Sequence, residues 1–286
     1  CKEQVNEPLY ADVQFKLGVS FLMLAERKIE PEQNLKLSVD AFTEAARVYK
    51  EQTNETSYAK AQLLLGELFA ELAYLKVEPE ESVKSSAKAF TEATRVYTQG
   101  QDEPQYTTLL VVVGVAFSKL ADFKVEPEAN LTRSAEALTE AARRYEKQKN
   151  TSSYANAQHN LGITFKKLAD FKVEPEANLT RSVDTLTESA RLSKEERGCK
   201  CYAETQWALG EVHRALADRD AQVKHNLARS AEALKEASER YKESKESGSY
   251  AKVLGKLGET YRMLADHGVS PEKNLQDSVA TLNLAA

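Results

Sequence analysis

The sequence has too little of several things to read as a familiar enzyme or membrane protein. Its longest apolar run, Leu109 to Val113, is far short of the roughly 18 residues that cross a bilayer as a helix. Cysteine is scarce: three in 286 residues, an odd number that makes no disulfide framework. Cys199 and Cys201 fall in GCKC, too tight for a zinc knuckle and without a second pair at ligand spacing, so two loop thiols are expected and no metal site. Positive charge is not in excess either. A formal net charge of -5, with bases interleaved among acids, gives no global attraction to phosphate and excludes nucleic acid as the expected partner. Glycine-rich phosphate loops, HExxH and GxSxG are missing. The four histidines, His159, His213, His225 and His267, form no i, i+4 pair and read as surface or groove residues. No catalytic residue and no cofactor is expected, and the chain reads as not an enzyme.

With 42% hydrophobic and 29% charged residues, the chain is still rich enough to bury a large core. What it contains is repetition. KLADFKVEPEANLTRS stands at Lys119 to Ser134 and again, letter for letter, at Lys167 to Ser182. Tyr10, Tyr58, Tyr106, Tyr154, Tyr202 and Tyr250 recur every 48 residues and divide the chain into six units. Each unit carries Leu-Gly or Val-Gly, as at Leu161-Gly162, and later a serine with an apolar residue four places on, as at Ser182 and Leu186. Glu44, Glu92, Glu140, Glu188 and Glu236 also share one repeat position, which suggests a structural or solvated role, since a catalytic carboxylate would be singular.

Spacings of three, four and seven predict helices. In the fourth unit, helix A is expected over about Tyr154 to Phe171, capped by Thr151-Ser152-Ser153. Helix B is expected to start at Pro175, where a missing N–H costs nothing; Pro31, Pro79, Pro127 and Pro271 mark the same start, and Val223 takes that place in the fifth unit. The recurring glycine lets helix A approach its partner closely, which outweighs its propensity cost of roughly 1 kcal/mol.

Leu161-Gly162-x-x-Phe165 and Ser182-x-x-x-Leu186-x-x-Ser189 resemble the tetratricopeptide repeat signature on helices A and B. Glutamine replaces the family's early tryptophan at Gln14, Gln62, Gln158 and Gln206, and the period is 48 residues where the family has about 34, so longer helices are expected. The resemblance implies an all-α fold: a right-handed α-solenoid of about six antiparallel helical hairpins forming one domain, 1–286, with repeats starting near 10, 58, 106, 154, 202 and 250. It also implies a concave groove lined by helix A. Carried over unit by unit, the groove positions include Phe15, Val19, Leu22, Leu63, Val111, Val115, His159, Trp207, Arg214 and Arg262.

Solenoids usually end in polar capping units, and neither end looks capped. CKEQVNEPLY matches the tail of a helix B, while SVATLNLAA stops in the middle of one, with Leu284 standing where earlier units have glutamate. Cys1, Leu282 and Leu284 are therefore candidate self-association residues, and head-to-tail stacking would give an open filament. Two functions remain: a structural scaffold that assembles with itself, or a monomeric adaptor that takes a peptide or protein in its groove. A leading Cys1 resembles a processed exported lipoprotein, which makes Cys1 a candidate lipid anchor and an extracellular or cell-surface address the expectation; the address is cytoplasmic if Cys1 is an artificial boundary. Sequons at Asn54, Asn130, Asn150 and Asn178 are candidate glycosylation sites.

Overall fold

The computed structural model describes residues 7–99, 103–124, 126–194, 200–219 and 222–285. Among these, all regular structure is helical: α1 (Glu7–Glu26), α2 (Pro31–Glu51), α3 (Glu55–Tyr74), α4 (Pro79–Gln99), α5 (Glu103–Leu120) with a 3-10 turn at Ala121–Phe123, α6 (Pro127–Lys147), α7 (Thr151–Asp170), α8 (Pro175–Ser193), α9 (Lys200–Ala217), α10 (Val223–Glu243), α11 (Ser247–Asp266) and α12 (Pro271–Ala285). Odd helices are the A helices and even ones the B helices. The chain forms two compact units that divide at Ala137 and Leu138, inside α6. In the first, α1 packs on α2 and α3 on α4; in the second, α7 packs on α8, α9 on α10 and α11 on α12. Each of these hairpins also touches the next through its B helix, as α2 does α3 and α10 does α11.

The duplicated stretch is the elbow of the hairpin. At the end of each of the first four A helices a lysine takes the left-handed conformation, with φ near 60° at Lys28, Lys76, Lys124 and Lys172. The next amide then reaches back five residues, from Ile29 to the Leu24 carbonyl, Val77 to Leu72 and Val173 to Leu168. This is a Schellman stop, which satisfies carbonyls the helix leaves open. Gly268, φ 75°, does the same in the last hairpin, and there the backbone needs no help from the side chain. A second left-handed residue follows, such as Glu30 or Glu174. It turns the chain into a proline already shaped for the first helical turn.

Within the hairpin, one contact recurs at a fixed separation. The serine hydroxyls of Ser38, Ser86, Ser182, Ser230 and Ser278 each donate to the carbonyl of a glycine twenty residues earlier, Gly18, Gly66, Gly162, Gly210 and Gly258, at 2.6–2.8 Å. An apolar side chain from helix B lies over each of those glycines. A Cβ on Gly66 would stand 2.7 Å from the Phe90 ring, and one on Gly162 would stand 2.5 Å from Leu186 Cγ. The close approach expected of these glycines is therefore real, and the serine bond fixes the register of the two helices.

Helix α7 starts at Thr151, three residues before the Tyr154 expected, so the Thr151-Ser152-Ser153 cluster is its first turn and not its cap. Asn150 is the N-cap of α7, accepting from the Ser153 amide at 3.1 Å, and Asn54 caps α3 through the Ser57 amide in the same way. An asparagine oxygen reaches the third amide of the helix as well as serine does, and it stands at the right place. Helix B begins at Pro31, Pro79, Pro127, Pro175 and Pro271, and at Val223 in the fifth repeat, as the prolines predict.

Candidate interaction surfaces

The residues taken from the tetratricopeptide pattern mostly serve packing. In the first unit, Phe15 meets Phe42 and Tyr49 edge-on at 5.1 and 6.4 Å between centroids. Val19 and Leu22 pack on that same cluster, and Leu63 packs on the one around Phe90 and Phe117. Val111 and Val115 are half-buried. In the second unit, Trp207 is half-buried and edge-on to Tyr241 at 6.2 Å. Arg214 pairs with Glu259 of the next A helix at 3.0 Å. Only Arg262 stands exposed, paired with Asp266 one turn on.

His159 corrects the expectation of a surface or groove residue. It is buried in α7, with Nδ1 at 2.8 Å from Thr205 Oγ1 of α9. Thr205 donates its own proton to the Cys201 carbonyl, so its oxygen accepts and His159 carries its hydrogen on Nδ1. Burial holds this imidazole down to a pKa of about 4, because an apolar surround disfavours the charged form. The longer helices bring successive A helices together here, and positions open in a shorter repeat become contacts between them.

Two of the four sequons are also corrected. Asn130 and Asn178 are buried, and Asn178 donates its side-chain amide to the Val173 carbonyl at 2.7 Å, as Asn34 does to Ile29 at 2.8 Å. The amide a glycan would need is therefore part of the elbow. Asn54 and Asn150 are exposed at their helix starts. Cys201 is disulfide-bonded, not a loop thiol; Cys1 and Cys199 lie outside the described residues. The shared glutamates have ion-pair and hydrogen-bond partners, in keeping with the structural or solvated role expected of them. Glu44, Glu92, Glu140 and Glu188 each pair with an arginine three residues on, and Tyr58 and Tyr202 donate to Glu92 and Glu236. Arg143 and Arg144 together hold the Glu140 carboxyl down to about 2.

Among the described residues, two kinds of surface stand open. One comprises the outward faces of the first and last hairpins. Leu9, Val13, Leu17 and Leu24 are exposed on α1, and Leu275, Val279, Leu282 and Leu284 on α12. The other is a pair of grooves between successive B helices. The groove between α4 and α6, in the first unit, holds about 410 Å³, and the one between α8 and α10, in the second unit, about 640 Å³ with α9 as its floor. His213, which lines the second groove, stands three residues after Gly210, where the other repeats have Phe or Tyr.

No protein-family model matches this chain, and no curated protein sequence matches it. Among solved structures, it is similar to the nuclear import adaptor Nro1 of S. pombe at 15% identity, with a TM-score of 0.55 over 98% of this chain and 94% of that one. It is also similar to a circular tandem repeat protein with novel repeat topology, at 14% identity and a TM-score of 0.45 over 98% of this chain and 72% of that one. At such identities the likeness to Nro1 speaks to fold alone. Together with the paired helices and the recurring serine-to-glycine lock, it makes this chain an all-α helical repeat protein.

Proposed function

We propose that this chain is a non-enzymatic scaffold of tetratricopeptide-like hairpins that associates with itself end to end, the last hairpin of one copy docking on the first hairpin of the next. One observation carries this reading: repeat positions buried inside the array are exposed at its first and last hairpins. Val13 is 51% exposed, whereas its equivalents Ala61, Leu109, Ala157, Thr205 and Val253 are buried. Leu275 is 48% exposed, whereas Leu35, Val83, Leu131, Leu179 and Leu227 are buried. The exposed face of α1 thus matches the side of an A helix that faces the preceding repeat. That of α12 matches the side of a B helix that faces the following one. Two such faces are complementary because the junctions within each unit, α2 on α3 and α10 on α11 for example, are built from the same pair. Contiguous exposed apolar side chains mark interaction sites, and a contact between unlike faces leaves the pair with one of each still free.

The test uses two blocked variants, Val13→Asp and Leu282→Asp, studied by sedimentation velocity over a wide concentration range. The unmodified chain should grow through successive multiples of its mass. Each variant alone should stay monomeric, and their mixture should stop at a dimer, because only one free face of each kind remains. A monodisperse unmodified monomer at high concentration would overturn self-association and leave the faces to further repeats of a longer chain, or the function to an adaptor.

A further inference from the structure

A repeat protein carries its own controls, since a side chain present in every unit has a structural cause and a singular one needs another explanation. In the third and fourth repeats, an arginine of helix B lies over an aromatic ring of helix A: Arg133 over Phe117 at 5.7 Å and Arg181 over Phe165 at 5.9 Å. Such a stack occupies the guanidinium. The fifth repeat keeps the arginine, as Arg229, but its ring is His213. A second histidine, His225, stands where the third and fourth repeats have Ala129 and Ala177. Both histidines and Arg229 line the 640 Å³ groove between α8 and α10.

The hydrogen bonds prepare this cluster. His213 Nδ1 lies 2.9 Å from Asn226 Oδ1, an oxygen that can only accept, so the ring's hydrogen sits on Nδ1 and Nε2 is its remaining nitrogen. The charged groups lining the groove with His213 are Arg191 and Lys194 from α8, and His225, Arg229, Glu232 and Glu236 from α10. Glu236 is taken by the Tyr202 hydroxyl at 2.6 Å. Glu232 meets Arg229 at 3.4 Å with both side chains more than half exposed, a pair worth little and readily exchanged for a better anion. Arg191 is held by Glu188 at 2.7 Å, so Lys194 and Arg229 are the cations that face Glu232 and Glu236, and an imidazole that takes up a proton adds to their charge. Burial, Arg229 and His225 together lower the His213 pKa against the pull of Asn226 and Glu232; a bound dianion would reverse that balance.

We propose that the groove between α8 and α10 binds a tetrahedral oxyanion, such as the phosphate group of a phosphorylated ligand, through Arg229, His213 and His225, and that it binds more tightly as the pH falls. Guanidinium and imidazolium donors are the usual partners of phosphate oxygens. The corresponding groove of the first unit has Phe117 and Ala129 at the two histidine positions and lacks the switch.

The test follows the imidazole protons of His213 and His225 by NMR at fixed ionic strength, while sulfate, inorganic phosphate or a phosphoserine peptide is added. Sulfate keeps its charge between pH 7.5 and 5.5, so it isolates the histidines from the ligand's own titration. A saturable shift is expected, with affinity for sulfate rising at least several-fold over that range. His213→Phe and His225→Ala restore what neighbouring repeats contain and should fold. Read through the remaining histidine, each should flatten the pH dependence, and Arg229→Gln should weaken binding about tenfold, the loss expected for one charge-assisted bond. Tighter binding of the peptide than of free phosphate would identify a protein-borne ligand, and the reverse a small one. Weak shifts of equal size in the variants, or affinity unchanged with pH, would overturn the proposal.

Discussion

Leu234 in α10 and Leu282 in α12 occupy one repeat position and do one job, covering the glycine of the helix before them. Leu234 is fully buried, and Leu282 is 42% exposed. The same holds two turns earlier, where Leu227 is buried and Leu275 exposed. Both hairpins keep the serine-to-glycine bond, at 2.8 Å in each. The hairpin is therefore closed by its own residues, and the burial of its apolar side chains is completed by a neighbour. Among the described residues, the fifth repeat is followed by another A helix, α11, which packs on α10.

The largest effect should come from truncating the two leucines. Leu234→Ala removes a fully buried side chain and should cost about 4 kcal/mol in denaturant unfolding, transfer and cavity terms together. Leu282→Ala gives up much less, under about 1.5 kcal/mol, because part of that side chain already meets water. Under conditions where copies associate, Leu282→Ala should instead weaken assembly. Equal costs in the dilute monomer would mean that the last hairpin is covered by something within the chain.

Next comes acid sensitivity, which belongs to the interior of the array. His159, tied to Thr205 of the next A helix, stays neutral down to about pH 4, whereas in the unfolded chain it takes up a proton near pH 6.5. The unfolded state thus binds more protons between those values. Stability is complete above about pH 6.5 and falls as the pH drops toward 4, by up to about 3 kcal/mol. His159→Leu, apolar like Leu63 and Val111 at the same repeat position, should remove most of that slope between pH 7 and pH 5 in unfolding titrations.

Close packing over the glycines gives a smaller contrast. In Gly162→Ala, the new Cβ would stand 2.5 Å from Leu186 Cγ and 2.9 Å from Thr185 Oγ1, with Leu186 fully buried. Overpacking should outweigh the propensity gain and leave a net loss of about 1–2 kcal/mol. In Gly258→Ala, the nearest atom is Leu282 Cγ at 2.6 Å, but that side chain can swing into solvent. Its melting temperature should stay level or rise slightly. A matching loss in both would show Leu282 to be held as firmly as Leu186.

These contrasts also separate what the sequence discloses from what it hides. Hairpins, prolines and close glycines are legible because each is a local device repeated at one spacing, and Gly162 to Ser182 alone nearly fixes the register. The interaction surface is not legible in the same way. The groove positions came from a shorter repeat, and whether a side chain such as His159 meets water or the next A helix depends on helix length and on a neighbour 46 residues away. Asn178 shows the same limit: the sequon is a local string, but its side chain belongs to the elbow. Departures from the repeat, His213 and Leu284 among them, are the positions that nothing periodic explains, and the proposals above rest on such positions.

The smallest effect concerns the elbow itself, where the sixth repeat holds the better residue. Lys172 stands at φ 64° and Gly268 at φ 75°, both at the residue where the A helix stops. A side chain in the left-handed region costs roughly 1 kcal/mol that glycine avoids, although glycine gives back part of this through its freer unfolded chain. Lys172→Gly should therefore stabilise the fourth repeat by about 0.5 kcal/mol, and Gly268→Lys should destabilise the sixth by a similar amount. Because a Cβ at Gly268 would meet no atom within 4 Å, any loss there is backbone strain and not a clash. Thermal unfolding of the two single variants, with amide exchange at Val173 and Val269 as the local readout, would resolve the pair. The opposite sign at Lys172 would mean that the lysine side chain contributes more to this elbow than its backbone strain removes.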